Sequence, residues 1–326
     1  MKRPDNAITL MGGVAALLFA SSMPGHGNDS TAEMGAGGLT MVRNFDVRME
    51  KEELYISPEK VTVDYVFRNT AKDAREFLVA FPMPDIEPDA YIESDIGIPN
   101  TNSDNLLGFS VTIDGAAVEP KIDMRALSYG VDVTETIRSA GLPLNPISEA
   151  TRKAVQALDP ERREALAAEG IVYDDGSGPI PSWTLKSTYY WMQSFPPDRP
   201  VRVSHKYTPG TGSGFYYPGA LDEGGYRDRY CIDKGTANAI ARKFKEVGDG
   251  LLVERRVDYI LKTGANWATP IGDFRLVVDK LKPDSIVSFC MDGVTKISPT
   301  RFEVRKKDFV PSADLRILVL DPHPPQ

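Results

Sequence analysis

Apolar and polar positions alternate through most of this chain. Val61, Val63, Tyr65 and Phe67 are interleaved with Thr62, Asp64 and Val66, a period of two that turns one face of a strand towards a core. Val201, Val203, His205 and Tyr207 repeat the pattern. An extended run from Val47 to Ile56 precedes the first of these, parted from it by Ser57-Pro58-Glu59. After a turn at 69–73, Glu76 to Phe81 reads as a near-continuous apolar return strand, stopped by Pro82-Met83-Pro84. Asp114-Gly115 between Phe109–Ile113 and Val118 is the strongest hairpin signal. Beyond Leu252 the runs Val257–Leu261, Phe274–Val278, Ile286–Cys290, Phe302–Val304 and Leu315–Leu320 are parted by turns such as Thr263-Gly264, Lys282-Pro283-Asp284 and Asp292-Gly293.

The texture changes between about 125 and 181. Thr134 to Ala140 and Ser148 to Leu158 have helical composition, and Ser148-Glu149 suits a cap. Asp159-Pro160-Glu161 opens a third helix that runs through Ala168 and stops at Gly170. One more helix is expected over Ala237–Val247, where Ala237, Ile240, Ala241, Phe244 and Val247 form one stripe. The chain therefore reads as mainly β: antiparallel, sandwich-like sheets with a small helical insertion and one further helix. Its expected regions are a signal peptide (1–27), an N-terminal β region (28–124), the insertion (125–181) and a C-terminal β region (182–326).

Residues 1–27 carry the export signal. Lys2 and Arg3 precede an apolar run from Ala7 to Ala20, shorter than the roughly 20 residues that span a bilayer, followed by a small-residue exit. Gly25 and Gly27 place cleavage between Gly27 and Asn28, with Ser22–Met23 as the competing site. No second run is long enough to span, so a soluble product in the periplasm or outside the cell is expected. In that oxidising setting Cys231 and Cys290 are expected to pair, closing a loop of about 60 residues; two buried free thiols, or one nucleophile, are the competing reading. Lys and Arg total 38 against 46 Asp and Glu, a formal charge of −8 with no basic block, which argues against a nucleic-acid partner.

Candidate chemistry is sparse. Past the signal only His205 and His323 remain; His205 lies on the apolar face of its strand and reads as a core histidine, so no metal site is expected. The loop 100–105 imitates a calcium loop but has Asn105 at the glycine position and Val111 where the bidentate acid belongs. Gly210-Thr211-Gly212-Ser213-Gly214 puts its serine one place too late for a nucleophile elbow. No catalytic residue and no cofactor is assigned. The most suggestive stretch holds Tyr216, Tyr217, Asp222, Glu223, Tyr226, Arg227, Asp228 and Arg229. Aromatic faces beside charged forks suit a glycan or peptide, and packing with ordinary ion pairs is the plainer alternative. The expected function is a non-enzymatic binding or structural protein of the envelope, with an envelope glycan or protein as partner. The alternative is a hydrolase of carbohydrate or peptide using acids of the 222–228 segment.

Several motifs stand together in a familiar order: Asn28-Asp29-Ser30, Gly37-Gly38-Leu39, Ile56-Ser57-Pro58, Phe67-Arg68-Asn69, Phe81-Pro82-Met83-Pro84, His205-Lys206-Tyr207-Thr208-Pro209, the run 263–271 and Ser288-Phe289-Cys290. On these residues the chain resembles the bacterial domain-of-unknown-function 4424 family over nearly all of 28–322. The resemblance implies an envelope or periplasmic location and no assigned activity, and it supplies no catalytic residues. The Gly-His-Gly exit departs from the Ala-rich one of a typical member.

Overall fold

The computed structural model describes residues 28–323 apart from 36–37, 89–90, 92–95, 175, 224 and 249; the signal peptide expected over 1–27 lies outside the described residues. Three sheets account for most of it, and the expected mainly β class holds. The eight-stranded sheet runs Thr295–Lys296, Arg301–Phe309, Ile271–Asp279, Val47–Ser57, Lys60–Asn69, Val201–Tyr207, Ser110–Ile113, Ala116–Val118. Its neighbours are antiparallel except Ile271–Asp279 beside Val47–Ser57, which run parallel. A parallel pair needs a crossover rather than a hairpin, and here everything between Ser57 and Ile271 forms it.

A six-stranded sheet, ordered Val131–Asp132, Lys121–Ser128, Thr184–Phe195, Arg75–Pro82, Ser30–Gly35, Gly38–Val42, packs on the same core. So does a five-stranded sheet of Ile286–Phe289, Leu315–His323, Leu251–Tyr259, Thr211–Phe215 and Ile96–Gly97. Both draw strands from before and after the helices between Thr134 and Ala168. Leu54 and Phe67 of the first sheet, Phe81 and Trp191 of the second, and Tyr259 and Ile317 of the third belong to one continuous cluster. The alternation expected over Val61–Phe67 is realised residue by residue, each odd position being buried.

A bulge between Met49 and Lys51 changes the phase of one strand. Val47 and Met49 face the core before it, and Glu52, Leu54 and Ile56 after it, because one extra residue moves every later side chain to the opposite face. Glu52, a carboxylate that strict alternation from Val47 would expose, is thereby fully buried. The neighbouring strand accommodates the bulge with Gly272, where a Cβ would lie 2.8 Å from the Glu50 carbonyl oxygen.

The helical stretch between Thr134 and Ala168 packs Ile137, Val155 and Leu166 around Trp183 as a second cluster. Its helices begin at the expected caps: Ser148 Oγ accepts from Thr151 N at 3.1 Å, and Asp159 Oδ1 from Arg162 N at 2.9 Å. The C-terminal helix spans Lys234–Val247, starting ahead of its apolar stripe because Asp233 caps it through Thr236 N at 2.6 Å. Its Ile240 packs with Leu252, Leu318 and Leu320, the outer face of the five-stranded sheet. Cys231 and Cys290 are joined as a disulfide. It ties the end of a short helix, Tyr226–Tyr230, to the end of Ile286–Phe289.

Candidate functional site

The stretch expected to be a binding loop folds as a 3-10 turn, Pro218–Asp222, followed by the helix Tyr226–Tyr230. Most of its candidate side chains are spent on local structure. Tyr216 is buried edge-on to Phe244, with ring centroids 5.9 Å apart. Tyr217 donates to Glu223, and Arg227 Nη2 lies 3.5 Å from Asp222 Oδ1. Tyr226 donates to the buried Glu254 at 2.7 Å, and burial beside that carboxylate pushes its phenol well up. Asp228 is exposed. Of the set, Arg229 alone lines the molecule's candidate cleft, so the acids Asp222, Glu223 and Asp228 do not converge there.

That cleft, about 570 Å³, opens where the ends of the sheets meet. Arg256, Asp258 and Arg316 come from adjacent strands of the five-stranded sheet, with Asp258 directly opposite Arg316. Arg229 and Tyr230 add a wall from the short helix, and Asp85 and Glu87 one from the loop after Arg75–Pro82. The loop is pinned by mutual main-chain bonds of Ile86 and Leu185 at 3.0 and 2.9 Å. Tyr207, Leu107 and Ile98 supply an apolar edge. The volume is that of an ordinary small-molecule site.

Positive and negative groups interleave around it. Arg256 donates to the Ser213 carbonyl at 3.2 Å. Asp314 accepts from the Leu261 and Lys262 amides at 3.1 and 3.2 Å. Arg229 and Arg316 make no side-chain hydrogen bond among the described residues; what they offer is charge near Asp258. Crowding by the cleft walls pushes the Asp258 carboxyl up, against the pull of Arg316, Arg229 and Arg256. Burial likewise raises Asp85, opposed by Lys186 at 3.3 Å. Sequence reasoning passed over Arg256, Asp258 and Arg316 because charges at alternate strand positions read as a solvated face.

A second concentration of polar groups lies inside the core. His205 points inward as expected, with Nε2 2.9 Å from Asp29 Oδ1, and both side chains are fully buried. Trp267 Nε1 donates to the Asp29 carbonyl at 2.8 Å. Asn28 donates through Nδ2 to both oxygens of Glu52 at 3.1 Å, and its Oδ1 accepts from Tyr65. Thr263 Oγ1 bridges the Asn28 main chain, accepting from its N and donating to its O, both at 2.6 Å. Asp29 Oδ2 and His205 Nδ1 have no hydrogen-bond partner among the described residues. Burial pushes the Glu52 carboxyl up to about 8, only partly offset by the Asn28 amide, with Asp29 adding to the rise. In the 100–105 loop Asn105 is structural, accepting from Phe109 N at 2.7 Å and Tyr189 at 2.6 Å. Among the described residues no group of three or more His, Cys, Asp or Glu could hold a metal ion, and no helix is long and apolar enough to cross a membrane.

The family model described as "Domain of unknown function (DUF4424)" matches residues 27–318, and the chain belongs to that family. No curated protein matches the sequence. Among solved structures, a crystal structure from Legionella pneumophila subsp. pneumophila str. Philadelphia 1, described as "a putative nutrient binding protein", is similar. It shares 17% identity at a TM-score of 0.45, over 90% of this chain and 70% of that one.

Proposed function

We propose that this DUF4424 member is an exported, non-enzymatic binding protein whose cleft takes a small ligand bearing both acidic and basic groups, such as a short peptide. The observation that carries the reading is the pair of guanidinium groups, Arg229 and Arg316, that face one 570 Å³ cleft without a hydrogen-bonded partner among the described residues. A ligand carboxylate would find two charge-assisted donors there, and a ligand amine would find Asp85 and Glu87 in the same lining. The lining holds no serine, threonine, cysteine or histidine among the described residues, which favours binding over nucleophilic chemistry. Export is supported by the basic start, the short apolar run and the small-residue exit of 1–27.

Thermal shift and calorimetry of the processed chain at low salt, against dipeptides, tripeptides, amino sugars and neutral sugars, test the proposal. A peptide at 100 times its Kd should add about 2.7 kcal/mol of apparent stability. Arg316→Ala should weaken that binding roughly 10- to 100-fold, the worth of a charged hydrogen bond. A flat response across the panel overturns the binding reading, and hydrolysis of a bound peptide or glycan moves the protein to the hydrolases.

A further inference from the structure

We infer that the bond cut on export is Gly27–Asn28, and that the α-amino group so freed is built into the core as the cation facing Glu52. This rests on the export reading above. Asn28, Asp29 and Ser30 are all fully buried, an unusual place for the start of an extended segment. The Asn28 nitrogen meets Thr263 Oγ1 at 2.6 Å, inside the protein rather than at its surface. Gly264 closes the other side, since a Cβ there would lie 2.7 Å from Asn28 Nδ2.

With Glu52 ionised, the charges of this centre balance only if the chain begins at Asn28. Two carboxyl groups, Asp29 and Glu52, are buried together with one ionisable base, His205. His205 is committed to Asp29 at 2.9 Å. Glu52 is ion-paired with no lysine or arginine among the described residues, and its bonded donor is the neutral amide of Asn28. An internal peptide nitrogen offers one N–H, which Thr263 takes. An α-ammonium at the same atom offers two more donors and a positive charge on the residue already bonded to Glu52 and next in sequence to Asp29, whose Oδ2 has no hydrogen-bond partner among the described residues. Ion pairs then number two and the centre is neutral, which a buried carboxylate requires. The small residues Gly25 and Gly27 meet the export peptidase's requirement at the same bond. Processing would thus complete the core as well as release the protein.

Three measurements decide this. Full-length chain expressed in a Gram-negative host should yield a periplasmic product whose intact mass and N-terminal sequence begin at Asn28. A start at Met23 or elsewhere overturns the inference while leaving export intact; an uncleaved cytoplasmic chain overturns the export reading itself. Next, a chain beginning at Asn28 is compared with one that retains Gly27. In the Gly27 form Glu52 has no cation, and its folded pKa of about 8 stands above the usual 4.5. Its stability is therefore full below about 4.5 and falls as pH rises towards 8. The Asn28 form should melt about 5 °C or more above it at pH 8, with the gap closing towards pH 5. Finally, an amine-reactive reagent should label the Asn28 α-amine at least about tenfold more slowly in the native than in the unfolded protein. Equal melting at every pH, or equal labelling of native and unfolded chain, overturns the inference. Glu52→Gln should lower the melting temperature of the Asn28 form more than that of the Gly27 form, and should it fail to fold, the wild-type labelling still decides.

Discussion

The disulfide offers the most quantitative test of how the cleft wall is held. Cys231 follows the helix that carries Arg229 and Tyr230, and Cys290 follows a strand whose Phe289 is buried in the main core. The two cysteines are 59 residues apart in sequence. Cross-linking a loop of that size removes unfolded-state entropy worth about 4 kcal/mol at 25 °C. At about 2.1 cal/mol/K per residue, unfolding roughly 300 residues carries an entropy near 0.6 kcal/mol/K. The double variant Cys231→Ser, Cys290→Ser should therefore melt about 6–7 °C below the parent. Local contacts survive it: Ser288 Oγ still donates to the Tyr230 carbonyl at 2.8 Å, so the helix stays docked and the loss is mainly entropic. Differential scanning calorimetry of parent and variant, each with and without reductant, gives the comparison. Cys231 is exposed, so reductant should bring the parent down to the variant without prior unfolding. A difference under about 2 °C, or two alkylatable thiols in the non-reduced parent, would refute the reasoning.

Three further outcomes follow from packing and hydrogen bonding. Gly272→Ala places a methyl 2.8 Å from the Glu50 carbonyl oxygen, where backbone must move, and should cost about 1–3 kcal/mol or more in urea unfolding. Trp267→Phe keeps the ring but leaves the buried Asp29 carbonyl without its 2.8 Å donor, a loss of about 1–3 kcal/mol by the same measurement. Asp233→Ala removes the cap of Lys234–Val247 and should cost about 1 kcal/mol, with hydrogen exchange accelerated in the first turn of that helix.

Local chemistry was legible wherever a short stretch decides its own conformation. Asp114 and Gly115 both adopt positive φ, 49° and 84°, as the two-residue hairpin read from them requires. Ser148 and Asp159 cap the helices they were expected to cap, and the inward face of Val201–Tyr207 was correctly placed, His205 included. The binding segment was less so. Its tyrosines and carboxylates looked available because nothing nearby in sequence engages them, yet Tyr226 is held by Glu254 and Tyr216 by Phe244.

What the sequence determined alone was the class of structure: strand periodicity, turn residues, capping groups and a cysteine pair are properties of neighbours along the chain, within reach of sterics and short hydrogen bonds. Tertiary structure alone decided the parallel pairing of Ile271–Asp279 with Val47–Ser57, and the bulge that turns Glu52 inward. It also decided the meeting of Asp85, Arg229, Asp258 and Arg316 at one cleft. Those outcomes depend on which distant surfaces bury one another. The free energy that selects them is released only when strands far apart in sequence close on a common core.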